Sequence, residues 1–223
     1  MSPLPFWKKW LSYLGEIQLE SIRSNVNPDL RISLVRGRLQ LSSTNSIYSF
    51  DDFYLNFLTA FHELRIERQS ISKVLMLGLG LGSVPYILEK KFRLFPEYTI
   101  VDIDESVIYL ASKYALPRIQ SPVQIIHADA WSFVRLNKGE TYDMIIVDLF
   151  VDDMVPLVFE SVDFLNCLKK MAHHQTLILS NRLYRTETDK QKTDKYFKEV
   201  YRHVFKNSEL MLIEGNSILK ARI

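Results

Sequence analysis

Val74-Leu75-Met76-Leu77-Gly78-Leu79-Gly80-Leu81-Gly82-Ser83 joins four apolar residues to three glycines in alternate positions, with helical spacing beyond them. A short apolar run bounded in this way reads as a strand buried on both faces. Glycine permits a tight strand-to-helix turn and lets a ligand approach the backbone, while the next helix offers free N–H groups. The spacing is not that of a dinucleotide loop, G-x-G-x-x-G, because the third glycine comes one residue early. No Lys follows that glycine, as a P-loop requires. A tight turn with no ligand is the other use these glycines allow. The chain has only seven glycines, so three clustered at one strand end carry information.

Outward from this loop the same alternation repeats. Apolar runs at Tyr98–Ile103, Val123–Ile126, Met144–Leu149 and Thr176–Leu179 are separated by amphipathic segments. Helices are expected to about Phe92, over Glu105–Tyr114, from about Ala130, around Val158–Met171 and over Asp189–Phe205. This pattern predicts an α/β fold with a parallel sheet covered on both faces. Leu210–Ile213 and Ser217–Ala221, with Gly215-Asn216 as their turn, predict a hairpin that adds an antiparallel strand at the end. Upstream, alternation at Ile17–Ser21, Leu30–Leu34 and Leu39–Leu41 predicts a three-stranded meander. Its turns fall at Asn25–Pro28 and at Arg36-Gly37-Arg38. Phe53, Phe57, Leu58, Phe61 and Leu64 set a helix from Asp51 to about Glu67.

Composition narrows the classes. Hydrophobic residues at 47% and charged residues at 24% exclude a disordered tail, a collagen-like repeat and a disulfide scaffold. A formal net charge of +2 implies no general polyanion-binding surface, so no nucleic-acid partner is expected. Cys167 has no partner for an internal disulfide, which fits a reducing, cytoplasmic compartment. No run approaches the ~18 apolar residues of a membrane span. Phe6, Trp7, Trp10, Leu11 and Leu14 share one face of a short helix ending at Gly15, and Lys8-Lys9 interrupts any signal-like run. Such a face can dock on the protein itself, on a partner subunit or on lipid, the first being the ordinary use. His173 and His174 fall in the turn before the fifth strand and project differently, so no metal site is expected.

In parallel sheets of this kind ligands sit beyond the carboxyl ends of the strands. Those ends are Gly78–Ser83, Asp102–Asp104, Asp129-Ala130, Asp148–Asp153 and Ser180–Arg182. Asp102 lies about 20 residues past the glycine loop, where an acid accepts hydrogen bonds from ribose hydroxyls. Asp129 ends the third strand, where an adenine amino group can be read. Loop, ribose acid and adenine-edge acid together point to an adenosine compound without a diphosphate.

These residues resemble the class I S-adenosylmethionine-dependent methyltransferase family, and within it the spermidine synthase-like branch. Val101-Asp102-Ile103-Asp104-Glu105-Ser106-Val107-Ile108, with Ser112-Lys113-Tyr114 and Leu116-Pro117 after it, is similar to V-E-I-D-x-x-V-I…K-K-F…P. Tyr142-Asp143-Met144-Ile145-Ile146-Val147-Asp148 is similar to Y-D-V-I-I-x-D, and Arg36-Gly37-Arg38-Leu39-Gln40 to L-D-G-x-x-Q. The resemblance spans roughly residues 17–222. It implies an N-terminal helix and β meander over 1–50 and a Rossmann-like domain over 51–223, with a mostly parallel seven-stranded sheet. It implies S-adenosylmethionine, or its decarboxylated form, as cofactor. Gly78, Gly80 and Gly82 would form the cofactor loop, Asp102 would take the ribose, Asp129 and Ala130 would border the adenine, and Gln40 would reach the thioether. Asp148 matches the acid that receives a proton from the attacking amine. A homodimer is also implied.

Departures cluster on the acceptor side. The family's loop Asp, which holds an aminopropyl ammonium, is Leu81 here. Its D-x-x-D pair becomes Asp148…Val151, with Asp152 and Asp153 displaced by one and two residues. Its Y-x-E is matched to Ser49-Phe50-Asp51, its Q-G-E to Ser180-Asn181-Arg182, and its P-T-Y-P-S-G loop shrinks to Glu214-Gly215-Asn216. Asp51, Asp152, Asp153 and Arg182 are therefore the candidate substrate residues. With the cofactor side retained and the acceptor side altered, the sequence favours methyl transfer to a small-molecule acceptor. An aminopropyltransferase with an atypical polyamine site and a non-catalytic adenosyl-binding protein are the alternatives.

Overall fold

The computed structural model describes residues 5–27, 29–43, 47–151, 154–213 and 215–223. A short helix, α1 (Phe6–Leu11), precedes four antiparallel strands, β1 (Ile17–Ile22), β2 (Leu30–Val35), β3 (Arg38–Ser42) and β4 (Ile47–Ser49). The meander thus has one strand more than alternation suggested, because a three-residue strand is too short to show a period. Arg36 and Gly37, both at positive φ, close the β2–β3 hairpin with Val35 opposite Arg38. Ser12 fixes α1 to that hairpin: its carbonyl accepts from Arg36 N and its hydroxyl from Gly37 N, both at 2.8 Å. No α1 residue is buried, so its aromatic face does not dock on its own chain.

After α2 (Leu55–Glu63) the chain alternates as expected. β5 (Lys73–Leu77), α3 (Ser83–Phe92), β6 (Glu97–Asp102), α4 (Glu105–Tyr114) and β7 (Val123–His127) build one half of the sheet. α5 (Ala130–Arg135), β8 (Tyr142–Val147), α6 (Val162–Lys170), β9 (Ala172–Leu183) and α7 (Glu187–Tyr196) build the other. A π turn over Phe197–Tyr201 and a last helical turn, α8 (Arg202–Val204), lead to β10 (Ser208–Ile213) and β11 (Asn216–Arg222). The order is β10-β11-β9-β8-β5-β6-β7, parallel throughout except β11, which is antiparallel to both neighbours. This is the Rossmann-like fold of the methyltransferases and spermidine synthases.

Side chains of β5 alternate between two cores, as a buried strand requires. Val74 and Met76 face α2, α3, α4 and the N-terminal sheet, whereas Leu75 and Leu77 face α5, α6 and α7. Leu30, Ile32, Leu39 and Leu41 belong to the first core, so the meander is packed onto the main sheet. Two local expectations change. Asn216 pairs with Ile213 and belongs to β11 rather than to the turn. His173 and His174 lie at the start of β9, where the Nε2 of His173 meets Asp143 Oδ1 at 2.9 Å.

Candidate active site

Chain order reverses between β5 and β8, and the crevice beyond that switch point holds a cavity of about 480 Å³. Leu77 pairs with Val147, so Gly78 and Asp148 emerge side by side from adjacent strands. A Cβ on Gly78, at φ +96, would stand 2.2 Å from the Asp148 carbonyl oxygen. Only glycine fits there. At Gly80 a Cβ would lie 3.1 Å from the Tyr48 carbonyl, because β4 passes directly over the loop. Gly78, Leu79 and Gly80 line the cavity; Gly82, the residue before α3, does not.

One half of the cavity is built from strand ends. Asp102 accepts from Leu79 N and from Asp104 N, each at 2.8 Å, one bond per oxygen. A carboxylate oxygen has a second acceptor site, and Asp102 lines the cavity. Burial raises its pKa, and the two backbone bonds pull the other way. Asp129 caps α5 through Ser132 N at 2.8 Å and lines the cavity together with Ala130. The N-terminal sheet closes this half: Tyr48 donates to Asn27 Oδ1 at 2.8 Å, and Asn27 donates to the buried Asp104 at 2.8 Å. Glycine backbone, Asp102 and Asp129 converge on one space, and the residues present fit an adenosyl group.

The other half centres on Asp148. Tyr54 Oη donates to its Oδ2 at 2.8 Å, and Asn181 Nδ2 to its Oδ1 at 2.8 Å. Burial lifts the Asp148 carboxyl to about 6, and these two bonds offset part of the rise. Burial and the adjacent Asp148 charge hold the Tyr54 hydroxyl well above the usual phenol range, so it remains a donor. Asn56, Asn216, Phe50, Phe53 and Phe159 complete the wall.

Several expected residues lie elsewhere. Gln40 faces opposite to the inward Leu39 and Leu41 on β3 and is off the cavity wall. Asp51 is buried beneath the wall: it accepts from Leu39 N at 3.0 Å and pairs with Arg118 at 2.5 and 2.9 Å, a structural tie rather than a substrate contact. Arg182 alternates away from Asn181 on β9, pairs with Glu160 and stacks on Tyr196 at 4.9 Å. Leu81 is 1% exposed and sits in the core. Asp152 and Asp153 lie outside the described residues.

Tyr54, Asn56, Asn27, Tyr48 and Asn216 were not singled out by sequence. The family's Y-x-E offered a signal for two of them. Tyr54-Leu55-Asn56 puts a tyrosine and a residue two further on into the cavity, as Ser49-Phe50-Asp51 does not. An amide stands there in place of the acid.

The family model for the spermine/spermidine synthase domain matches residues 59–212, more than half of the chain. The chain belongs to this family. It is 29% identical over 113 residues to a polyamine aminopropyltransferase of Vibrio vulnificus, covering 49% of this chain and 37% of that protein. It is 32% identical over 117 residues to polyamine aminopropyltransferase 2 of Caldanaerobacter subterraneus subsp. tengcongensis, covering 51% of this chain and again 37% of the relative. The matched stretch is thus well under half of either relative. A solved spermidine synthase in complex with the transition-state analogue AdoDATO superposes with a TM-score of 0.71 at 16% identity, covering 92% of this chain and 73% of that one. No helix among the described residues is long and apolar enough to cross a membrane.

Proposed function

We propose that this chain transfers an aminopropyl group from decarboxylated S-adenosylmethionine to a small amine, the reaction type named in its curated relatives. The observation that carries the reading is Asp148. It stands at the carboxyl end of β8, beside the glycine loop, with its oxygens held by Tyr54 and Asn181. In the proposed step the amine nitrogen bonds to the aminopropyl carbon as the carbon–sulfur bond breaks. The electron pair stays on sulfur, methylthioadenosine leaves, and the nitrogen's proton passes to Asp148. A cationic amine alongside would itself favour the ionised carboxylate.

Methyl transfer, favoured on sequence, loses one of its supports. Arg182 does not face the cavity and its charge is met by Glu160, which leaves Arg185 as the guanidinium on the wall among the described residues. The change at Leu81 persists. A loop with no carboxylate should discriminate weakly, and the affinities for S-adenosylmethionine and its decarboxylated form should lie within about tenfold of each other. Incubation with the decarboxylated donor and a panel of amines should release methylthioadenosine. Faster formation of S-adenosylhomocysteine from S-adenosylmethionine with the same acceptors would return the reading to methyl transfer.

Asp102 is assigned to the ribose. Asp102→Ala should weaken adenosyl-ligand binding more than ~10-fold by calorimetry, since two charge-assisted bonds disappear. Unchanged affinity in a folded variant removes that assignment. A homodimer also belongs to this reading, with the exposed Phe6, Trp7, Trp10 and Leu14 as the surface in need of cover.

A further inference from the structure

Asn216, the first residue of β11, has no part in the proton transfer described above, yet it begins an ordered chain of donors that ends on Asp148. Its Nδ2 donates to the Arg182 carbonyl at 3.2 Å and to Asn181 Oδ1 at 3.0 Å. A backbone carbonyl only accepts, so the NH2 end of Asn216 must face it. The Asn181 atom met by the second hydrogen must then be its oxygen. That leaves the NH2 of Asn181 pointing the other way, to Asp148 Oδ1 at 2.8 Å and Tyr54 Oη at 3.4 Å. Tyr54 closes the ring by donating to Asp148 Oδ2 at 2.8 Å.

We propose that Asn216 is a positioning residue: it locks the Asn181 amide in the one orientation that presents a donor, not an acceptor, to Asp148. The inference rests on the reading of Asp148 as the proton acceptor, but its structural content does not. With Asn216 truncated, the Asn181 amide is free to turn its oxygen toward the carboxylate. The charged form of Asp148 then loses a donor and its proton is held more tightly.

The groups around Asp148 are few among the described residues. Tyr54 is the titratable group in contact with it, from the segment before α2, and Asn181 from β9 is neutral. Asp102, Asp129, Arg185 and Tyr48 share the cavity wall. The relay is therefore the main adjustable influence on its proton affinity besides burial and Tyr54. It couples the last hairpin of the fold to the base.

The test is a carbon-13 NMR titration of the Asp148 carboxyl in the full chain, read alongside the pH profile of turnover. Asn216→Ala should raise the Asp148 midpoint by about one pH unit, a tenfold change in proton affinity. Asn216→Asp, which can donate to neither carbonyl, should raise it at least as far. Asn181→Ala removes the donor directly and should shift the midpoint similarly. The double variant with Asn216→Ala should then add nothing, because both changes act through one bond. An unmoved midpoint in Asn216→Ala, or additive shifts in the double variant, overturns the relay. Because the titration needs no turnover, the relay can hold even where the aminopropyl assay fails, and the two failures are told apart. Thermal melts of each variant identify any that do not fold, and the neutral, near-isosteric Asn216→Leu then stands in for Asn216→Ala.

Discussion

Asp148 combines a demanding environment with the chemical task proposed for it, and the two have opposite consequences for the folded chain. Its carboxyl is raised to about 6 from an ordinary 3.8, with burial as the leading cause. A raised carboxyl binds its proton more tightly folded than unfolded, so the associated stability is complete below about pH 4. It is lost as pH rises through about 6. The difference amounts to at most about 3 kcal/mol above that pH, because Asp148 retains some exposure to the cavity. Asp148→Asn should therefore melt several degrees higher than the parent at pH 8, with the gap closing toward pH 4. The same variant should turn over at least ~100-fold more slowly, since a positioned base typically contributes 10²–10⁴. In the parent, the rate should rise with pH along a limb centred near 6. Equal melting temperatures at pH 8 would contradict the burial account.

Among the elements, the cavity depends on two close contacts between segments distant in sequence. At the first, β5 and β8 end together with no room between Gly78 and the Asp148 carbonyl. Gly78→Ala must displace one strand end, and both adenosyl binding and turnover should fall together, with a lowered melting temperature. Asp51 makes the second contact, linking the end of the meander to the segment between α4 and β7 through Arg118. Asp51 is nearly fully buried, and removing its charge strands a guanidinium that is itself partly covered. Asp51→Ala should cost about 3 kcal/mol, the low end for a broken buried pair because Arg118 is partly exposed. Denaturant melts measure this. A folded variant of unchanged stability with a selectively raised KM for the amine would restore Asp51 to the substrate site.

For the whole molecule, the four-stranded N-terminal sheet lies over the glycine loop and supplies Leu41 and Tyr48 to the cavity wall, with Asn27 from the β1–β2 connection. The same region carries, ahead of β1, the helix α1, whose Phe6 is 75% and Trp10 65% exposed. These rings are held on a tether of two hydrogen bonds through Ser12, so they form a fixed apolar projection. Light scattering of the full chain at tens of micromolar should give twice the monomer mass. Trp7→Ser with Trp10→Ser should shift it toward the monomer while leaving the melt of the main domain intact. A monomer in both cases sets the homodimer aside.

Strand and helix order, the glycine loop, and the acids Asp102, Asp129 and Asp148 at strand ends were legible in the linear sequence. Period and composition carry those features, because burial on one or two faces imposes them on consecutive residues. The direction in which Arg182 and Gln40 point from their strands was not legible. A one-residue step along a strand reverses the side chain, and alignment to a motif does not reveal which face is the cavity. Nor was the ring of Tyr54, Asp148, Asn181 and Asn216, whose members come from four segments up to 162 residues apart. Hydrogen-bond geometry between such segments exists only once the sheet is assembled, and so tertiary structure alone decided which neutral groups hold the Asp148 carboxylate.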